Sequence, residues 1–163
     1  MFYIVAALLI GLDQCFKLVA AKLFQQPLTV IHDFFYLAYL ENRGAAFGML
    51  PGGRWLFIAV SIIVIVLILR WQQTIKDTGD HHETKSCHPE ALEGRPSSNP
   101  PWTLLRLSLL FLLAGASGNL IDRIWHGYVI DFMAFTFFPA FNLADVMINL
   151  GAFGLILWWL KNK

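Results

Sequence analysis

Charged residues are scarce in this sequence: Asp, Glu, Lys and Arg make up only 14% of its 163 residues, and the formal net charge is +1. Soluble domains carry about a quarter charged residues, so the composition argues against a water-soluble fold. The near balance of charge also offers no basic surface, and we expect no nucleic-acid partner. The length suits a single domain over residues 1–163.

Cysteine is also scarce, with Cys15 in an apolar run and Cys87 in a polar stretch. The two lie far apart in very different surroundings, so a disulfide is not expected. The polar stretch adds His81, His82 and His88, whose spacing matches no dependable zinc pattern. A solvated linker explains these residues better, and we predict no metal site.

We expect no cleavable secretory signal peptide either. The first apolar run, Phe2–Leu23, has no basic stretch before it and contains Asp13 and Lys17. The apolar part of a secretory signal is shorter and uncharged, so we interpret this run as a retained membrane helix. Asp13 and Lys17 are four residues apart on one helical face, which predicts an ion pair that ties the helix to a bundle.

Apolar residues are abundant, at 57% of the chain with a mean hydropathy of +0.58. A helix needs about 20 residues to cross about 30 Å of hydrocarbon. Four segments meet this requirement and predict an all-α membrane protein with four transmembrane helices. They cover residues 2–23, 55–71, 102–121 and 143–160.

Basic residues are concentrated in the loop at residues 72–101 and in the C-terminal tail. This bias predicts that the loop and both termini are cytoplasmic. The loop is rich in polar residues, Gly and Pro, and we expect it to be flexible. On the other side, Leu28–Ile31 and residues 34–40 are predicted to be short strands of a small sheet on the membrane. Residues 128–141 are predicted to form an interfacial segment.

Two carboxylates, Asp131 and Asp145, lie in apolar surroundings at the outer ends of the third and fourth helices. An ionisable group at such a depth is costly and usually faces a bundle interior or a wet cavity. Two carboxylates held close together share a proton, which is the arrangement that aspartic peptide hydrolysis uses. Equally, the aspartates could pair with Arg123 or cap a helix, since Asp145 falls in a first turn.

Further polar side chains surround this pair of aspartates. Asparagine amides and an arginine are suited to holding a peptide backbone, although caps and turns are the structural alternative, especially at the start of the fourth helix. The small residues at 114–118, with Gly151 and Gly154, predict close packing of the third and fourth helices. The polar group comprises Asn42, Asn119, Asp122, Arg123 and Asn142.

Five sequence blocks, in order along the chain, resemble the lipoprotein signal peptidase (signal peptidase II) family. They cover nearly the whole chain except residues 72–101. The blocks are Asp13-Gln14 with Lys17, residues 42–47 (Asn-Arg-Gly-Ala-Ala-Phe), residues 118–123 (Gly-Asn-Leu-Ile-Asp-Arg), residues 129–132 (Val-Ile-Asp-Phe) and residues 141–145 (Phe-Asn-Leu-Ala-Asp).

The resemblance implies an aspartic endopeptidase of the bacterial inner membrane that cuts diacylglyceryl-modified prolipoproteins before the lipidated cysteine. It implies four membrane helices, a small extracytoplasmic sheet and an interfacial helix, with no metal or cofactor. It also implies roles for individual residues. Asp131 and Asp145 match the catalytic aspartates; Asn42, Asn119, Arg123 and Asn142 match substrate-binding positions; Asp13, Lys17, Gly44 and Asp122 match supporting positions.

Some residues depart from the family pattern, notably Phe16, where Thr or Ser is usual, and Ala114, where Gly is common. Arg43 and Val146 also differ, and none of the four is a proposed catalytic aspartate. We expect the chain to act as a monomer on prolipoproteins within membrane lipid. The alternatives from other classes are a four-helix transporter and a non-enzymatic assembly factor. The sequence leaves open which aspartate is the general base and which prolipoproteins are preferred.

Overall fold

The computed structural model describes residues 1–44, 53–83 and 102–163, and this part of the chain contains four helices and one sheet. Each helix contains a stretch long and apolar enough to cross a membrane, which confirms the predicted architecture. The helices are α1 (Phe2–Leu23), α2 (Arg54–Glu83), α3 (Trp102–Trp125) and α4 (Leu143–Lys161). The strands are β1 (Leu28–Ile31), β2 (Phe35–Asn42), β3 (Val129–Phe135) and β4 (Phe138–Phe141).

Two helices run further than the sequence predicted. We placed the start of the polar loop at residue 72, but α2 continues to Glu83, and α3 continues past residue 121 to Trp125. The extension of α2 begins with Gln72, Gln73 and Thr74, and no Gly or Pro interrupts it before Gly79. A helix formed in lipid can therefore continue into water with little cost. Residues 84–101, including Cys87 and His88, lie outside the described residues.

Helix α3 occupies the centre of the bundle and packs against each of the other three helices. In its membrane-spanning stretch 56% of the residues are buried, against 22% or less in each of the others. A core of Leu105, Leu109 and Leu113 from α3 packs with Ala6 of α1 and Ile68 of α2. The most enclosed helix therefore carries Asn119 and Asp122 towards one end of the bundle.

Close packing of α3 and α4 depends on glycine, as the small-residue pattern predicted. A Cβ atom built on Gly151 of α4 would lie 2.7 Å from both Ser108 O and Leu112 Cγ of α3. A Cβ atom on Gly118 would lie 2.6 Å from Asp13 Oδ2 of α1. At these positions even a methyl group would push neighbouring helices apart.

The sheet contains four antiparallel strands in the order β1-β2-β3-β4. The two predicted strands are confirmed as β1 and β2, with β2 ending at Asn42 rather than at residue 40. Residues 128–141, predicted as an interfacial segment without an assigned secondary structure, contain β3 and β4. Hydrogen bonding to β2 and the continuous burial of Val129–Phe132 favour a strand there. In the described part of the chain, no helix lies outside the four spans.

Candidate active site

A buried charged cluster fastens α1 to the rest of the protein. Lys17 Nζ lies 2.9 Å from Asp13 Oδ2, as the spacing predicted, and also 2.9 Å from Asp122 Oδ2 of α3. These three side chains are at most 1% exposed. Each carboxylate also accepts a backbone N–H: Asp13 from Ala144 at 2.9 Å and Asp122 from Ile130 at 3.1 Å. The cluster therefore fixes the starts of α4 and β3 relative to α1 and α3.

Asn119 connects this cluster to the proposed catalytic aspartate on α4. Its Oδ1 accepts a hydrogen bond from Lys17 Nζ at 3.1 Å, and its Nδ2 donates to Asp145 Oδ1 at 2.8 Å. Gln14, to which the sequence assigned no separate role, donates to Asp122 Oδ1 at 3.1 Å and to Gly118 O at 3.2 Å. A continuous polar chain therefore runs from α1 to Asp145.

Asn142 joins the two aspartates. It is the N-cap of α4: its side chain accepts from Asp145 N at 3.0 Å, and Asp145 Oδ2 accepts from Asn142 N at 3.2 Å. Its Nδ2 donates to Asp131 Oδ1 at 2.7 Å and to Asn119 Oδ1 at 3.2 Å. Asn142 thus both caps α4 and contacts the aspartates. We had considered capping as an alternative to a functional role, but the same side chain does both.

The sheet register brings Asn42 to Asp131. Asp131 of β3 faces Leu40 of β2, and Asn42 lies two residues further along β2, on the same face. Asn42 Nδ2 donates to Asp131 Oδ2 at 3.0 Å. Gly44 N donates to Asn42 Oδ1 at 3.1 Å, which fixes the amide so that its nitrogen points to the carboxylate. Both oxygens of Asp131 therefore have a donor.

A cavity of about 480 Å³ opens over this pair, between the sheet and the ends of α3 and α4. Asp131 and Asp145 both line it; Asp131 is 2% exposed, whereas Asp145 is partly exposed. Burial, followed by the nearby charge of Asp145, raises the pKa of Asp131 to about 7, against the opposing hydrogen bonds from Asn42 and Asn142. Among the described residues, no three His, Cys, Asp or Glu side chains are grouped to hold a metal.

Arg123 lines the same cavity without forming an ion pair within 4.0 Å to either aspartate in the described structure. Its guanidinium lies over the Phe57 ring, 5.0 Å from the centroid, and donates weakly to Asn119 O at 3.4 Å. The geometry therefore does not support the alternative that Arg123 pairs with these aspartates. Its donors remain near the cavity for another acceptor.

The rim of the cavity contains a polar cluster that the sequence did not single out. Arg43 donates to Glu41 at 2.8 Å and lies 5.5 Å from the centroid of the Tyr128 ring. The hydroxyl groups of Tyr39 and Tyr128 are 2.8 Å apart. The hydrogen bond from Arg43 lowers the pKa of Glu41, and burial with the Tyr128 contact raises the pKa of Tyr39. These contacts join β2 to the start of β3, which sequence spacing alone could not reveal.

A family model described as signal peptidase (SPase) II matches residues 5–87 and 96–161 of this chain. The chain belongs to the signal peptidase II family. Relatives named lipoprotein signal peptidase include one from Halothermothrix orenii, 37% identical over 100% of this chain and 98% of the relative. Another, from Moorella thermoacetica, is 38% identical over 97% of this chain and 90% of the relative.

Solved structures agree with the fold of this signal peptidase II family member. Two chains described as a bacterial membrane enzyme, determined by the in meso method, superpose with TM-scores of 0.72 and 0.70. Both share 25% sequence identity and cover 99% of this chain; it spans 88% and 94% of theirs. The predicted family and fold are thus confirmed, and the protein is a membrane-embedded peptidase.

Two of the four departures from the family pattern, Phe16 and Ala114, fit the packing. Phe16 of α1 stacks on Phe132 of β3, with ring centroids 6.2 Å apart. Ala114 is fully buried and packs with Ala144 and Met147 at the α3–α4 contact. Neither residue touches the hydrogen bonds that hold the aspartates, so these changes affect helix and sheet packing rather than the site.

Proposed function

We propose that this signal peptidase is an aspartic endopeptidase that uses Asp131 and Asp145 to remove signal peptides from diacylglyceryl-modified prolipoproteins. The observation that carries the proposal is the bridge through Asn142, which binds Asp131 by its amide and Asp145 by reciprocal capping bonds. Both carboxylates line one cavity at the end of the helical bundle. A shared and desolvated carboxylate pair is what aspartic hydrolysis requires.

The environments of the two aspartates suggest their separate roles. Asp131 is buried and has a raised pKa, so it is the member that retains a proton near neutral pH. Asp145 lies in the first turn of α4, where the helix dipole favours negative charge, and it is partly exposed. Ionised Asp145 takes a proton from water, and protonated Asp131 donates a hydrogen bond to the scissile carbonyl.

Attack of this water on the carbonyl carbon, with transfer of the Asp131 proton to the carbonyl oxygen, gives a tetrahedral diol. Its collapse breaks the C–N bond: the departing nitrogen takes the proton that Asp145 removed from water and leaves as the amine of the lipidated cysteine. One hydroxyl of the diol returns its proton to Asp131, and the signal peptide leaves as the carboxylic acid. No covalent intermediate with the enzyme is needed. Arg123, with Asn42 and Asn119 beside it, supplies donors that can hold the peptide carbonyls during these steps.

The site lies where a lipidated substrate needs it. Asp131 belongs to the sheet beyond the spans, and Asp145 to the first turn of a spanning helix. Acyl chains of the substrate can remain in hydrocarbon while water reaches the peptide bond. We place this end of the protein at the outer face of the inner membrane, with both termini in the cytoplasm. One chain supplies every residue of the site, so we expect a monomer to be active.

The test is cleavage of a purified diacylglyceryl-modified prolipoprotein by the full-length protein in lipid. We expect two products, with the mature protein beginning at the lipidated cysteine, as mass spectrometry can establish. The matched control is the same prolipoprotein without its lipid, which should remain uncut. Absence of cleavage by a correctly inserted protein would overturn the proposal and favour the transporter or assembly-factor alternatives.

A further inference from the structure

A second cavity, of about 440 Å³, adjoins the catalytic one along the outer side of α4. The two share Phe138, Phe141, Asp145 and Asn149 among their lining residues. They are therefore one continuous depression that changes character at Asp145. The part over the aspartates contains most of the polar lining side chains, and the part along α4 is almost entirely apolar.

The apolar part descends along α4 into the membrane-spanning region. Its further lining residues are Val146, Leu150 and Phe153, which recur at helical spacing on one face. Leu150 and Phe153 are 52% and 60% exposed, so the part of the chain that the structure describes does not cover this face. Phe153 lies eight residues beyond Asp145, which is about 12 Å along the helix. The groove thus runs from the site of hydrolysis well into hydrocarbon.

Asn149 is the polar exception in this groove. It is exposed on a membrane-spanning helix, one turn beyond Asp145, where a primary amide is costly unless it has partners. Its Nδ2 donates to Asp145 O at 2.9 Å, which uses one of its two N–H groups. The second N–H remains available to a ligand that enters the groove.

We propose that this groove holds the diacylglyceryl group of the substrate, with the second N–H of Asn149 donating to an ester carbonyl. The inference rests on the proposed function, because only that reaction brings a lipidated cysteine to Asp145. Asn149 lies about 6 Å from Asp145 along the axis of α4. The thioether and glyceryl carbons between the cysteine and its first ester form a spacer of similar length.

The apolar helix of the signal peptide is the competing occupant, and its chemistry fits the groove less well. The backbone carbonyls of a helix already accept hydrogen bonds within the helix, so they are weaker acceptors for Asn149 than a free ester carbonyl. A diester offers two carbonyl acceptors directly above two acyl chains. This order of polar and then apolar groups matches the order of Asn149, Leu150 and Phe153 along α4.

The first experiment fills the groove with Leu150→Trp. With a dipalmitoyl substrate we expect kcat/KM to fall about tenfold, because several methylene groups lose their contact with protein. With a dibutyryl substrate the fall should be much smaller. The matched control is Ile156→Trp, which places the same ring at another exposed position of α4 outside the groove lining.

The second experiment tests the hydrogen bond with a lipid that lacks ester carbonyls. The wild type should cleave the diester substrate about fivefold more efficiently than its diether analogue, the effect of one hydrogen bond. Asn149→Leu should remove this preference. Asn162→Leu, at the end of α4, should retain it. Equal preference in Asn149→Leu and the wild type would overturn the role of Asn149.

A photoactivatable acyl chain on the substrate gives a readout that needs no variant. We expect cross-links to residues 146–153, identified by mass spectrometry of the wild-type protein. Two outcomes would overturn the groove assignment in a protein that still cleaves its substrate. One is that the acyl-chain probe cross-links to another helix. The other is that only a probe placed in the signal peptide cross-links to residues 146–153. If the wild type cut no lipidated substrate, the proposed function itself would fail, so the two failures are distinguishable.

Discussion

The environment of Asp131 sets the chemistry that this site can perform. Desolvation favours its protonated form, while hydrogen bonds from Asn42 and Asn142 favour its charged form. The balance raises its pKa to about 7, so both protonation states occur in the physiological range. A carboxyl group poised in this way suits general acid catalysis at neutral pH.

The pH dependence of cleavage follows from this raised pKa. In the proposed mechanism protonated Asp131 is the active form, and it is lost as the pH rises through about 7. We therefore expect kcat/KM to decline above that pH, approaching about tenfold per pH unit. Steady-state rates on a diacylglyceryl-modified substrate between pH 5 and 9 would measure the alkaline limb; a flat profile to pH 9 would contradict the assignment of Asp131.

The variant Asn42→Ala tests whether the alkaline limb of the pH profile reports the titration of Asp131. The Asn42 amide donates to Asp131 at 3.0 Å and lowers its pKa. Its removal should move the limb to higher pH, whatever the change in rate. Thr29→Ala, on the distal strand β1, should leave the limb in place. A shift towards lower pH in Asn42→Ala would be inconsistent with the proposed hydrogen bond.

Lys17 does not line the catalytic cavity, but its replacement should destabilise the site. Lys17→Met leaves Asp13 and Asp122 as buried carboxylates without their cation, which in proteins costs about 3–5 kcal/mol. We expect a clear fall in Tm, measured by intrinsic fluorescence in lipid or detergent. Lys22→Met, at the exposed end of α1, is the control. Equal Tm values for both variants would contradict a stabilising role for the cluster.

For individual residues, the sequence was informative where the spacing within one helix determines which side chains are in contact. Asp13 and Lys17 at four-residue spacing predicted an ion pair, and the structure contains it. The third member, Asp122, was predicted only to lie near the aspartates and, through the resemblance, to have a supporting role. Its contact with Lys17 was not predicted, because a contact between α1 and α3 depends on packing. Asn149 gave no signal, since a lone amide in an apolar helix cannot be assigned to a groove before its neighbours are known.

At the scale of elements, the α3–α4 contact positions Asn119 against Asp145. Gly151 permits this approach, since its missing side chain faces Ser108 O and Leu112. The small-residue pattern was sufficient to predict this contact, because close helix packing in membranes requires small side chains. The arrangement of Asn119 and Asn142 around the aspartates follows from it.

Gly151→Ala should therefore separate the two helices. The added methyl group would overlap the backbone of α3, and we expect a loss of about 1–3 kcal/mol with a lower Tm. Gly11→Ala provides a matched control, because a Cβ atom there meets nothing within 4 Å. That variant should be neutral or slightly more stable, as alanine favours helix. Comparable losses in the two variants would argue against close packing at Gly151.

Strands β3 and β4 show where local pattern is insufficient. Residues 128–141 contain Pro139 and many aromatic residues, a composition that indicated an interfacial segment but not its secondary structure. Pairing with β2 decides the outcome, and β2 is distant in sequence. The C-terminal end of α2 was also predicted too early, because helix propensity can extend a helix beyond the membrane where no apolar pattern marks it.

For the molecule as a whole, four spans place both termini on the same side of the membrane. The basic residues near the tail and central loop favour the cytoplasm for that side. The proposed orientation turns the sheet and the aspartates outwards, towards the side on which we expect lipidated prolipoproteins to present their signal peptides. The orientation decides whether substrate can reach the site.

Cysteine labelling in intact cells tests this orientation. In a protein with Cys15 and Cys87 replaced by serine, Asp33→Cys should react with a membrane-impermeant maleimide added from outside. Lys163→Cys should react only after the cells are permeabilised. Labelling of Lys163→Cys in intact cells, with Asp33→Cys protected, would reverse the proposed topology.

The most direct test of the central claim compares cleavage of the diacylglyceryl-modified substrate by three variants: Asp131→Asn, Asp145→Asn and Asp33→Asn. The first two remove one carboxylate each with little change in shape, and the third changes an aspartate that is 88% exposed on the sheet. We predict that kcat/KM falls about 10²–10⁴-fold in the first two and stays at the wild-type value in the third. Cleavage at the wild-type rate by Asp131→Asn or Asp145→Asn would contradict the proposed catalytic role of that aspartate.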